Sequence, residues 1–204
     1  MQYKRIGIMG GTFDPIHYGH LVAAEGARYH FALDKVIFVP AARPPHKLHR
    51  KNISAPGHRW EMTSLAVASN PHFLVSALEL ERSGPSYTID TVRTMARMYA
   101  GADIYFITGA DAVLEILTWH RVEELLQMAI FIAATRPGFQ LERLSSQLQG
   151  LYGQAKDRIV AMEVPALAIS STDIRQRIQE AKPIKYLLPE PVEEYILATG
   201  LYRM

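Results

Sequence analysis

Apolar runs of strand length alternate with helical patterns along this chain, and that alternation limits the possible folds more than any other feature. Strands are expected at residues 4–9, 35–39, 73–80, 103–108, 129–134 and 159–164, where β-branched and aromatic residues cluster between turn signals. Helices are expected at 18–33, 57–69, 87–99, 110–117, 122–128, 141–148, 172–180 and 190–198. In 87–99, Ile89, Val92, Met95 and Ala96 form an apolar stripe. The last helix has Pro189 and Pro191 near its start and Gly200 just past its end. Strands separated by helices need crossover connections, which favour parallel pairing and cover both sheet faces. The expected class is α/β. Helices without strands from about residue 171 suggest a small C-terminal helical part. The 204 residues are 49 % hydrophobic and carry no clean linker, so one domain spanning 1–204 is expected.

Open parallel sheets bind ligands beyond the carboxyl ends of their strands. The distinctive segments, 10–20, 40–47, 109–111, 136–138 and 169–175, all fall at such ends. The first reads Gly10-Gly11-Thr12-Phe13-Asp14-Pro15-Ile16-His17-Tyr18-Gly19-His20, a strand, a glycine-rich turn and a helix start. Glycines admit close backbone approach to phosphate, and N–H groups at a helix start attract anions. Two imidazoles three residues apart are expected on one face of that helix end. No Lys-Ser or Lys-Thr follows the glycines, so this is no Walker A loop, and the GxGxxG dinucleotide spacing is also missing. A second motif, Ile169-Ser170-Ser171-Thr172-Asp173-Ile174-Arg175, follows a strand and opens a helix. It reads either as a simple helix cap or as hydroxyls and a guanidinium facing one anion. A third, Pro44-Pro45-His46-Lys47, sits in a basic loop. It reads as a solvated loop or as an arm carrying Lys47 to phosphate.

These segments resemble the nucleotidyltransferase superfamily, with its T/HxGH and ISSTxIR motifs, and the form GGTFDPIHYGH is similar to that of bacterial nicotinate-nucleotide adenylyltransferases. The resemblance runs from Ile6 to the C-terminal helices. It implies a Rossmann-like doubly wound parallel sheet with helices on both faces. It also implies transfer of the adenylyl group of ATP to nicotinate mononucleotide, giving deamido-NAD and pyrophosphate. His17, His20, Lys47 and Arg175 would then be catalytic. ATP would meet Gly10, Gly11, Thr12, Phe13, His17, His20, Gly109, Asp111, Arg136, Ser171, Thr172 and Arg175. The mononucleotide would meet Thr12, Lys47, Thr88 and Trp119, with Trp119 stacked on the pyridine ring and Thr88 near its carboxylate. Thr88 as a helix cap and Trp119 as a core residue are the plainer readings. Within the superfamily, phosphopantetheine and nicotinamide-mononucleotide adenylyltransferases are the alternatives.

The chemistry suits the residue types. A 5′-phosphate nucleophile is already ionised near neutral pH, so neither a strong general base nor a covalent intermediate is needed. Mg²⁺ would bridge triphosphate oxygens mostly through water, and no protein metal site is expected. The chain has no cysteine, which removes thiolate chemistry and disulfides. A net charge of +2 and no recognised module argue against nucleic acid. No apolar run reaches membrane-spanning length, and the expected location is the cytoplasm. A homo-oligomer stays open, because apolar helix faces serve cores and interfaces alike.

Overall fold

A computed structural model describes residues 3–43, 53–136, 157–165 and 167–203. The described elements run β1 (Arg5–Gly11), α1 (Tyr18–His30), β2 (Lys35–Pro40), α2 (Pro56–Val67), β3 (Phe73–Val75), α3 (Thr88–Met98), β4 (Asp103–Gly109), α4 (Ala110–Leu114), α5 (Val122–Met128), β5 (Ile130–Thr135), β6 (Ile159–Glu163), α6 (Ser171–Gln179) and α7 (Glu190–Thr199). The six strands form one sheet in the order β3-β2-β1-β4-β5-β6. Every neighbouring pair is parallel.

Alternation along each strand sends side chains to two separate cores. Met9, Phe38, Ile107 and Ile132 join Ala24 and Ala27 of α1 and Met62 of α2 on one face. Ile8, Ile37, Val39, Phe106 and Phe131 join Ile89, Val92 and Met95 of α3 and Leu125 of α5 on the other. The near-continuous apolar character of the strands follows from burial on both sides. The C-terminal residues Ile174, Ile184, Leu188, Val192 and Ile196 belong to the same buried cluster as Met9 and Phe38. The strand order reverses between β1 and β4: the chain winds outward from β1 through β2 to β3, then returns to β4. The crevice at the carboxyl ends of these two strands is the natural ligand site of such a sheet.

Three expectations need adjustment. The strand at 73–80 stops at Val75, because Ser76 Oγ accepts the Leu78 N–H and Ala77 O accepts the N–H groups of Leu80 and Glu81. A serine that bonds to nearby backbone competes with the ladder and turns the chain. The helix at 110–117 splits into α4 and a 3₁₀ turn at Ile116–Thr118. The helix at 18–33 ends at His30, with Ala32 in the left-handed region at φ 50°. The helix expected at 141–148 lies outside the described residues. Among those residues no helix is long and apolar enough to cross a membrane.

Candidate active site

The turn after β1 is shaped by one tight contact. Phe13 takes a left-handed conformation (φ 48°) and is fully buried, with its ring 5.9 Å from that of Phe38 and edge-on to His20 at 5.2 Å. A Cβ on Gly11 would come within 2.6 Å of the Phe13 ring, so only glycine lets the phenyl fold back. Asp14 is buried next to it. Its carboxylate accepts the Tyr202 hydroxyl at 2.7 Å and the Ser54 N–H at 3.3 Å. Burial and the Asp14 charge hold the Tyr202 hydroxyl far above the usual phenol range. Arg59 braces the same turn from α2. It is 1 % exposed and donates to Thr12 O at 2.9 Å, Ala41 O at 2.6 Å and Ser54 O at 2.9 Å. Burial pulls its pKa down, and the Asp14 charge opposes that shift. Charge-assisted bonds to carbonyls make such a burial tolerable.

His17 is the N-cap of α1 rather than part of its first turn, with extended backbone at φ −150°. Its N–H donates to His20 Nδ1 at 3.3 Å. His20 Nδ1 is therefore an acceptor, and Nε2 carries the donating proton of a neutral ring. Because His17 stands at the cap, the two rings lie nearly face to face, 3.8 Å apart and tilted by 32°. Gly19 makes room for this. A Cβ there would lie 3.0 Å from Cε1 and Nδ1 of His17, which explains the glycine between the histidines. The His17 ring is buried, and its Nδ1 has no hydrogen-bond partner among the described residues. Burial first, and then the Arg136 charge, lowers its pKa to about 4. The ring is thus neutral at physiological pH.

The late motif meets this turn directly. Ser170 caps α6, its Oγ accepting the Asp173 N–H at 3.1 Å. Ser171 Oγ donates to Pro15 O at 2.8 Å. Arg175 donates through Nη1 to Asp14 O at 2.7 Å and through Nη2 to Thr172 Oγ1 at 3.3 Å. Capping and bracing are therefore divided within one motif: Ser170 ends the helix, and Ser171 and Arg175 lock it to the turn that leads into His17. Arg136, exposed at the end of β5, is near enough for its charge to be felt at His17.

A cavity of about 530 Å³ lies beside this rim, lined by Gly10, Gly11, Thr12, Thr88, Phe106 and Trp119 among others. All three described residues expected at the mononucleotide therefore share one cavity. Trp119 is half-buried and packs edge-to-face on Phe106 (6.0 Å, 85°) and Phe131 (5.9 Å, 74°), so it belongs to the core and to the cavity wall at once. Tyr87, not Thr88, caps α3, and Thr88 is the first helical residue. The rings of Tyr87 and His120 lie 4.5 Å apart on the same wall. Gly109 caps α4, and Asp111 is exposed in its first turn. Lys47 and the rest of the Pro44-Pro45-His46-Lys47 segment lie outside the described residues, as do Pro137 and Gly138. His58, on α2, pairs with the Tyr195 hydroxyl at 2.8 Å. Among the described residues no group of three or more His, Cys, Asp or Glu converges on a metal position.

Sequence reasoning missed Arg59, Asp14, Tyr202 and Glu79. Arg59 left a trace: it shares helical spacing with Met62 and Ala66, both buried, and so sits on the inner face of α2. Asp14 and Tyr202, 188 residues apart, left none.

Residues 8–177 match the cytidylyltransferase-like family model. A Moorella thermoacetica protein described as a probable nicotinate-nucleotide adenylyltransferase is 62 % identical over 200 residues, covering 98 % of this chain and 92 % of its own length. A Desulfitobacterium hafniense protein of the same description is 55 % identical over 201 residues, with 98 % and 97 % covered. Among solved structures, Plasmodium falciparum nicotinic acid mononucleotide adenylyltransferase complexed with NaAD superposes with a TM-score of 0.78 at 22 % identity, covering 98 % of each chain. That structure supports the fold. The chain belongs to the cytidylyltransferase-like family and, by near-complete alignment at high identity, to its nicotinate-nucleotide adenylyltransferases.

Proposed function

We propose that this chain transfers the adenylyl group of ATP to nicotinate mononucleotide, releasing pyrophosphate and forming deamido-NAD, the reaction that its 62 % identical relative's description names. One observation carries the reading: the His17–His20 pair and Arg175 gather at a single turn, and the aromatic cavity beside them holds Thr12, Thr88 and Trp119. A phosphate-binding rim next to a slot for a flat ring suits an adenylyl donor and a pyridine acceptor. It suits a flexible pantetheine arm less well, because Trp119, Tyr87 and Phe106 offer aromatic surface.

The acceptor's 5′-phosphate attacks the α-phosphorus of ATP in line, the bond to the bridging oxygen breaks, and pyrophosphate leaves without a covalent enzyme intermediate. Gly10, Gly11, Thr12 and Phe13 present backbone to the phosphates. His20 donates from Nε2 to the α-phosphate, where charge develops. His17, neutral in the empty site, gains a proton more readily once an anion lies against it. Ser171, Thr172 and Arg175 hold the β- and γ-phosphates at the start of α6, and Lys47 adds a positive charge. Gly109 and Asp111 serve the adenosine ribose, and the segment at Arg136 flanks the adenine. Both Asp14 oxygens are engaged, and Asp173 pairs with Arg177. A divalent cation, Mg²⁺ in this reading, would be held mainly through the phosphates of ATP, and it would supply charge neutralisation for the leaving group. The cytoplasm, where ATP is available as co-substrate, is the location this reading implies.

The test is a rate comparison. Purified chain with ATP and Mg²⁺ should release pyrophosphate with nicotinate mononucleotide, and more slowly with nicotinamide mononucleotide. Equal rates would remove the carboxylate preference. Release with neither acceptor would remove the reading itself.

A further inference from the structure

Glu79 sits in the turn that ends the short β3 strand, and it lines the same cavity as Thr88 and Trp119. It is only 6 % exposed. One carboxylate oxygen is pinned: Oε1 accepts the Thr91 hydroxyl at 2.5 Å. The other, Oε2, is buried and has no hydrogen-bond partner among the described residues. A buried carboxylate oxygen without a donor is costly, and native proteins seldom leave one so. The cavity wall thus holds an acceptor in a fixed orientation with no donor among the described residues.

Resting on the mononucleotide reading above, we propose that Glu79 binds the ribose of the pyridine nucleotide, its Oε2 accepting a proton from a 2′- or 3′-hydroxyl. Elimination supports this. The nucleotide's phosphate is an anion that accepts hydrogen bonds, and so is its nicotinate carboxylate. Neither can donate to Oε2. The two ribose hydroxyls are the only donors the molecule has near neutral pH. They also lie between the phosphate, which belongs at the His17–His20 rim, and the pyridine ring, which belongs at Trp119. The Thr91 bond fixes Oε1, so α3 positions the carboxylate as well as Thr88.

Wild type and Glu79→Gln are compared with ATP and three acceptors: nicotinate mononucleotide and its 2′-deoxy and 3′-deoxy analogues. In the variant the Thr91 bond holds the amide oxygen, so the amide nitrogen replaces Oε2 and cannot accept. On the wild type, one deoxy analogue should lose about tenfold or more in kcat/KM, the scale of a hydrogen bond to a charged group. In Glu79→Gln the parent nucleotide should lose a similar factor, and the deoxy penalty should shrink to within about twofold, the mark of two groups acting as a pair. The KM for ATP should move far less. A wild type indifferent to both deoxy analogues overturns the proposal, whether or not the variant folds. So does a variant that keeps the full deoxy penalty. If Glu79 served only to brace α3, Glu79→Gln, which keeps the Thr91 bond, would leave the kinetics of the parent nucleotide unchanged, which also overturns it. A wild type inactive with the parent mononucleotide would instead remove the functional reading, and the ribose assignment with it.

Discussion

The rim proposed for phosphate and the cavity proposed for the pyridine share one sheet edge but are built by different means. At the rim, loops distant in sequence are tied together through backbone carbonyls: Arg175 to Asp14, Ser171 to Pro15, and Arg59 to Thr12, Ala41 and Ser54. Side chains there hold the chain's own main chain in place before any ligand arrives. The cavity wall is assembled from aromatic contacts, Trp119 on Phe106 and Phe131 and Tyr87 on His120, with the Glu79 oxygen left unpaired. The difference follows from the two tasks. Stabilising charge on a transferring phosphoryl group needs donors fixed in advance. Accepting a flat ring and its ribose needs surface and a few acceptors that the ligand itself completes.

The sharpest way to break this comparison is His20→Ala. The braces from Arg175, Ser171 and Arg59 run through other side chains, so the fold should persist. Loss of one preorganised donor should lower kcat by about two orders of magnitude or more, roughly 3 kcal/mol, with little change in the KM for the mononucleotide. Steady-state kinetics beside a thermal melt would check both halves. Near-normal turnover would take His20 out of the chemistry and leave the rim a purely structural brace.

The next largest effect is on stability. The folded-state pKa of His17, about 4, lies below the ordinary imidazole value of 6.5, so acid favours the unfolded chain. The stabilisation is fully present above about pH 6.5 and is lost as pH falls toward about 4, amounting to up to roughly 3 kcal/mol. His17→Gln should flatten the fall in Tm between pH 7 and pH 4. Parallel pH curves for the variant and the wild type would show that the buried imidazole is not the group responsible. ATP should shrink the contrast, since an anion at the rim raises the His17 pKa toward its ordinary value and narrows the gap from the unfolded chain, while ligand binding itself raises Tm at every pH.

How much of this was legible in the sequence divides along the same line. The sheet was, because six apolar runs alternating with helical patterns leave few architectures. The expected and observed strands differ mainly at 73–80, where the Ser76 side-chain bond ends β3 early and a period-two pattern gives no warning. The two phosphate motifs were legible as contiguous words, and the structure brings them together. The braces between them were not. Arg59 reads as a surface arginine until α2 is seen to turn it inward, and the Asp14–Tyr202 bond joins opposite ends of the chain. Ser171 shows the limit inside a motif: as a phosphate ligand and as a brace to Pro15 it reads identically, since both uses need one hydroxyl at a helix start.

Trp119 sharpens the comparison with the smallest effect. Its ring contributes to the core through Phe106 and Phe131 and to the cavity through its remaining surface. Trp119→Ala should therefore act in two ways that kinetics can separate. Loss of stacking on the pyridine should raise the KM for the mononucleotide by about tenfold, the upper end of an aromatic pair's contribution. The KM for ATP should stay close to its wild-type value, because the rim's donors sit on other loops. Loss of packing should lower Tm as well. Trp119→Phe separates the two contributions: it keeps a ring against Phe106 and Phe131 and should restore most of the Tm, while the smaller face recovers only part of the KM. If Phe restored Tm and KM together, or if Ala lowered Tm without touching KM, Trp119 would be a core residue that merely borders the cavity, and Tyr87 with His120 would be left to hold the ring.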